Sequence, residues 1–161
     1  MAKQIRQVEG CFDGRRHLFA VRVYYEDTDL SGMVYHANYL RWFERARSDM
    51  LRLLDIDQRC AQETGLGVYT VADLAIRYLS PARLDDAVTI ETTALRVGAA
   101  SVTLHQRALL TESEGSAPIL AEADVRVGFV SPGGRPRRHP SEWRKAFAVL
   151  LPAETPETPN A

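Results

Sequence analysis

One stretch of the chain gathers most of its reactive side chains: Val23-Tyr24-Tyr25-Glu26-Asp27-Thr28-Asp29-Leu30-Ser31-Gly32-Met33-Val34-Tyr35-His36-Ala37-Asn38-Tyr39. Carboxylates, hydroxyls and a histidine crowd the passage from a strand-like run to a helix-like run. That setting suits acyl chemistry. The unpaired N–H groups and positive dipole end of a helix stabilise a developing oxyanion. A carboxylate just upstream attacks the polarised carbonyl or activates water for that attack. Gly32 lets the backbone pass close to a ligand. The same acids also favour turns and helix caps, so the segment by itself admits both roles. Asp27, which strand alternation puts on the side of Tyr25 and Asp29, is expected to cap the turn. Asn38 is expected to hydrogen-bond locally and Tyr39 to pack. Asp27, Asp29 and His36 have the chemistry of metal ligands, but no further ligands follow at suitable spacing, and no metal site is expected.

The elements that hold this segment are readable from periodicity. His17 to Tyr25 alternates as a strand, with Phe19, Val21, Val23 and Tyr25 on one face. From Tyr35 to Leu54, the residues Tyr39, Trp42, Phe43, Ala46, Met50, Leu53 and Leu54 recur at spacings of three and four, which predicts one long helix. At 1.5 Å per residue it would span roughly 30 Å. Arg41, Glu44, Arg45, Arg47, Ser48 and Arg52 fall on its wetter side. After Gly65 and Gly67 the period changes to two, predicting strands near 68–78, 87–97, 101–110 and 119–130. A short helix is expected over 141–150. Strand, long helix and then four strands in succession imply an α+β architecture: an antiparallel meander of about five strands curved around one central helix.

Composition bounds the rest. With 161 residues, 45% hydrophobic and 25% charged, the chain is of single-domain, globular type. A loose segment is expected over 1–16, one domain over 17–151 and a disordered proline-rich tail over 152–161. A net charge of −1 argues against a general nucleic-acid binder. The start lacks the apolar core of a signal peptide, and no stretch approaches the roughly 20 apolar residues of a membrane span. Cys11 and Cys60 are far apart and read as reduced thiols of a cytoplasmic protein. His17, His105 and His139 have no acid paired with them in sequence and are expected to be structural or solvated.

The run VRVYYEDTDLSGMVYHANYLRWFERARSDML resembles the signature of the 4-hydroxybenzoyl-CoA thioesterase branch of the hotdog superfamily, closest to its Tol–Pal-associated acyl-CoA thioesterases. The likeness continues through Ile76-Arg77-Tyr78-Leu79-Ser80-Pro81-Ala82-Arg83-Leu84-Asp85-Asp86 and covers about Phe19 to Val130. It implies a hotdog fold, dimers joined sheet edge to sheet edge and often paired into tetramers, and active sites between subunits. The reaction it implies is hydrolysis of an acyl thioester to a free acid and coenzyme A, with no cofactor, since coenzyme A is part of the substrate. Asp29 falls on the family's catalytic carboxylate, as nucleophile or general base. Tyr25 and His36 match the tyrosine and histidine that accompany it, and the His36 backbone N–H is the candidate oxyanion donor. Coenzyme A phosphates call for a basic site. Arg77 and Arg83, which flank the Ser80-Pro81 turn, are the candidates within the second motif, and Arg135, Arg137, Arg138, Arg144 and Lys145 cluster further on. Two alternatives stay open: thioesters carried on an acyl carrier protein, and a non-catalytic scaffold that binds acyl groups or an envelope-associated partner.

Overall fold

The computed structural model describes residues 7–111 and 115–152. Its elements run β1 (Cys11–Asp13), β2 (Arg16–Arg22), a 3-10 turn (Tyr25–Asp27), α1 (His36–Leu53), α2 (Gln58–Glu63), β3 (Val68–Tyr78), β4 (Ala87–Val97), β5 (Ser101–Leu110), β6 (Ile119–Val130) and α3 (Ser141–Ala148). The fold is the expected α+β one, a curved antiparallel sheet packed on a helix. The helix has 18 residues, roughly 27 Å of axis.

Three expectations are corrected. The sheet has six strands rather than five, because Cys11–Asp13 pairs with β2, Asp13↔Arg16 closing a hairpin at Gly14, whose φ of 59° favours glycine. The last four strands are not one meander. The order is β1-β2-β4-β5-β6-β3, so only β4, β5 and β6 follow one another, and β3 crosses to the far edge to pair with β6. The short helix α2 is an addition that periodicity does not announce. Asp57 caps it by accepting the Cys60 N–H at 2.9 Å. Residues 1–6 and the expected tail from 153 onward lie outside the described residues.

The helix buries the predicted stripe in its central turns: Tyr39, Trp42, Phe43, Ala46 and Met50. Near its end Leu51 is buried and Leu53 is exposed, the reverse of the expected choice. The first half of α1 packs with Val88, Ile90, Ala121 and Val125 of the sheet, and the second half with Leu104, Phe147 and Leu150. Full burial of aromatics such as Trp42 and Phe43 contributes about 1.5–3 kcal/mol each. Register shifts at Val71/Asp73, Ala94/Arg96 and Ala108/Leu109 interrupt the ladders, and such bulges bend a sheet. The inner face of the sheet therefore holds α1 with its N-terminus at the end of β3.

Candidate active site

Between β2 and α1 the chain makes a small hairpin that presents Asp29. Thr28 bridges Val34, and the Asp29 N–H donates to the Met33 carbonyl at 3.0 Å. The turn closes through the Gly32 N–H on the Asp29 carbonyl at 3.0 Å, with Gly32 at φ 78°. Its outer arm lies against the segment after β3: Val34 N–H donates to Ala82 O at 2.9 Å, and Met33 bridges Arg83.

Asp27 anchors this hairpin to the helix. Its Oδ1 accepts from Asn38 Nδ2 at 2.6 Å, its Oδ2 from the Tyr24 N–H at 2.8 Å, and its carbonyl from the Tyr35 N–H at 2.8 Å. Asp27 is buried and structural, as expected. It does not share a side with Tyr25 and Asp29, because the 3-10 turn ends the alternation at Arg22. Asn38 bonds across eleven residues rather than locally.

Asp29 and His36 face one open cleft of about 350 Å³. Ser31 and Met33 of the hairpin, Tyr39 of α1 and the Tyr78–Pro81 segment complete its walls. Asp29 Oδ1 accepts the Ser31 backbone N–H at 2.8 Å and the Ser31 hydroxyl. These bonds, the hydroxyl first, together with the His36 imidazole, hold the Asp29 carboxyl below its usual range. Oδ2 has no partner among the described residues. The His36 and Ala37 N–H groups, first in α1, likewise find no acceptor there. The cleft thus pairs an ionised carboxylate with a helix N-terminus.

Tyr78 is the residue that sequence reasoning missed. Its hydroxyl donates to the His36 carbonyl at 2.9 Å, and its ring meets the imidazole edge to face with centroids 6.1 Å apart. Burial pushes the Tyr78 and Tyr39 hydroxyls up, so both remain protonated donors. The signal for Tyr78 lies in the second motif, between the two arginines that carry its charge.

The remaining candidates lie elsewhere. The Tyr25 side chain is 84% exposed and outside the cleft walls, while its carbonyl accepts the Thr28 hydroxyl at 2.8 Å. Arg77 alternates with Tyr78 along β3 and points away from the cleft, 3.5 Å from Glu122. Arg83 sits beside the Asp29 hairpin, its guanidinium 4.0 Å from where a Cβ on Gly32 would stand. His17 pairs with Asp49, His105 with Asp124 and His139 with Tyr69, all outside the cleft. Among the described residues no three His, Cys, Asp or Glu side chains group as metal ligands, and no helix is long and apolar enough to cross a membrane.

Comparison with known proteins bears on the family and the fold. Residues 23–157 match the family model of the thioesterase-like superfamily. The chain is 41% identical over 133 residues to the acyl-CoA thioesterase YbgC of Haemophilus influenzae, covering 82% of this chain and 94% of that one. A probable thioesterase of Bartonella henselae superposes with a TM-score of 0.70 at 36% identity, over 78% of this chain and 99% of that one. A 4-hydroxybenzoyl-CoA thioesterase, solved as a mutant complexed with 4-hydroxybenzoyl-CoA, shares the fold with a TM-score of 0.74 at 20% identity, over 85% and 99%.

Proposed function

This chain belongs to the thioesterase-like superfamily, and from that membership we propose that it hydrolyses acyl-CoA thioesters in the cleft between Asp29 and His36. The observation that carries the reading is that Asp29, with Oδ2 unpartnered among the described residues, lines one cleft with His36, whose N–H opens α1 without an acceptor there. The thioester oxygen accepts from the His36 N–H, which draws charge off the carbonyl carbon. Asp29 then attacks that carbon, expelling the coenzyme A thiolate and leaving an anhydride that water opens to the free acid. Alternatively it takes the proton of a water that attacks instead. Tyr78 acts through its bond to the His36 carbonyl and fixes the first turn of the helix.

Arg83 is the better placed of the two arginines for the charged end of coenzyme A, being next to the hairpin and without an ion-pair partner among the described residues. Arg77 is engaged with Glu122. Among the described residues no strand pairs with the outer edge of β3, and Leu30, Tyr78 and Leu79 are exposed around the cleft. Both features support a homodimer joined along β3. Two exposed free thiols, Cys11 and Cys60, suit the reducing cytoplasm.

The test is thiol release from short, medium, long and aromatic acyl-CoA and from acyl-carrier-protein thioesters, with wild type and Asp29→Asn. Turnover should fall by about 10²–10⁴-fold in the folded variant. Wild-type turnover in Asp29→Asn would refute the assignment.

A further inference from the structure

The last element of the fold is docked by packing alone. Among the described residues no hydrogen bond joins 141–152 to any element before it. Phe147 and Leu150 are buried beside Met50, Leu51 and Leu104, and Trp143 meets Phe129 edge to face with ring centroids 5.4 Å apart. The chain is last hydrogen-bonded to the sheet at His139, just ahead of α3. The His139 N–H donates to the Ala99 carbonyl at 2.9 Å, and Nδ1 meets the Tyr69 hydroxyl at 2.8 Å.

His139 is buried in a cage of rings. Those of Tyr69, Phe129 and Phe147 have centroids 5.6, 6.0 and 5.8 Å from the imidazole. Nε2 is buried and makes no hydrogen bond among the described residues. The titratable and charged groups around the ring are Tyr69 of β3 and Arg144 of α3, with Arg137 and Arg138 preceding it in the chain. From β6 it meets the Phe129 ring, and from the β4–β5 turn only the backbone of Ala99 and Ser101. Glu142 and Lys145 of α3 are exposed. His17 and His105 each sit against a carboxylate, at 2.7 and 2.6 Å, whereas His139 has none among the described residues.

Neutral, the ring fits this cage. Protonated, it carries N–H on both nitrogens, so the Tyr69 hydroxyl can only accept and Nε2–H points among rings. Burial is the chief cause that holds the His139 pKa below 6.5, and Arg144 adds to it. The Ser101 backbone pulls the other way without reaching hydrogen-bond geometry. Burial also pushes the Tyr69 hydroxyl up, so it stays protonated. Opening returns the imidazole to water, where it takes up a proton as pH falls through about 6.5. We propose that His139 is a pin that acid withdraws, letting residues 139–152 open from the sheet and α1 while the rest of the fold stays closed. Opening at a chain end breaks no other element. It bares the apolar sides of α3 and of the second half of α1. None of these residues walls the Asp29 cleft, so the pin is independent of the reaction proposed there.

Hydrogen exchange of the full chain between about pH 7.5 and pH 5, with protection corrected for intrinsic rates, tests the pin. The Arg144–Ala148 amides should lose about ten-fold in protection per pH unit below about 6.5, one proton being taken up on each opening. The Trp42–Met50 amides of α1 should stay more protected at every pH, which marks the opening as local. His139→Gln cannot take up the proton and should abolish the slope in α3. Amides of α3 and α1 that share one protection at each pH would show global unfolding only and overturn the proposal. So would α3 protection that holds or rises in acid, the sign of rings that accommodate the cation. A slope that survives in His139→Gln overturns it as well. Should that variant fail to fold, the wild-type comparison of the two helices decides alone.

Discussion

Asp29 is exposed in the protomer, yet its carboxyl is held below the ordinary range by the residue two positions on. The Ser31 hydroxyl is the largest cause and the Ser31 N–H the next, and both favour the charged form. The sign for activity follows directly. A nucleophile or base must be ionised, so kcat/KM should persist as pH falls until it passes below the usual carboxylate range. Ser31→Ala keeps the backbone N–H and removes the hydroxyl, which should move the acid limb of kcat/KM toward higher pH while leaving the plateau near neutrality. Paired pH–rate profiles check this, and superimposable acid limbs would show that Ser31 does not tune the acid. His36 also lowers Asp29 in this cleft, so His36→Ala should shift the limb in the same direction by a smaller amount.

At the scale of elements, the hairpin carrying Asp29 is held to α1 chiefly by Asp27. Its carboxylate satisfies Asn38 and the Tyr24 N–H from a position that is 7% exposed. Hydrogen bonds to a charged group are worth about 1.5–3 kcal/mol each, and a partner left buried and unsatisfied adds to the loss. Asp27→Ala should therefore destabilise the protein by about 2–4 kcal/mol, read as a lower urea midpoint with an unchanged slope. Asp27→Asn should lose less, since its side-chain oxygen still accepts one bond. The strands over 68–78, 87–97, 101–110 and 119–130 are legible from a period of two between turn residues, most clearly in the last, as is the stripe from Tyr39 to Met50. The place of β3 beside β6 is not legible. Strand order is set by a crossover, and no local pattern encodes it. The short β1 and α2 fall below the length at which periodicity speaks. Asp29 and His36 can be read together because one turn joins them in sequence. Tyr78 reaches them from 42 residues away, and alternation separates it from Arg77 without saying which of the two faces inward. Arg47 escapes the pattern for a related reason: a helix has a wet side only where nothing packs beside it, and there Gln106 does.

The molecule as a whole is tied across its layers by a buried pair on α1. Asp49 Oδ2 meets His17 Nε2 of β2 at 2.7 Å and accepts the Gly10 N–H at 2.9 Å, joining the N-terminal hairpin to the helix. The fit is close enough to require glycine, since a Cβ on Gly10 would come within 2.4 Å of Leu18 O and 2.6 Å of Asp49 Oδ2. Phe12 and Phe19 flank the imidazole, whose Nδ1 has no partner among the described residues, and Arg52 stands 3.7 Å from the other Asp49 oxygen. Desolvation outweighs the attraction of Asp49 and lowers the His17 pKa from 6.5, so the ring is neutral when folded and donates through Nε2. As pH falls through about 6.5 the unfolded chain takes up the proton first, and stability present above that pH is lost on the acid side. The urea midpoint should thus decline between about pH 7 and pH 5. His17→Gln keeps a donor near the Nε2 position and should shallow that decline without removing it, because His139 is lowered in the same way by burial. Asp49→Ala leaves the neutral imidazole and the Gly10 N–H without their acceptor and should cost about 1–3 kcal/mol for each near neutrality. A midpoint that does not change with pH in the wild type would mean that water reaches His17 and that the pair is not the clamp its geometry describes.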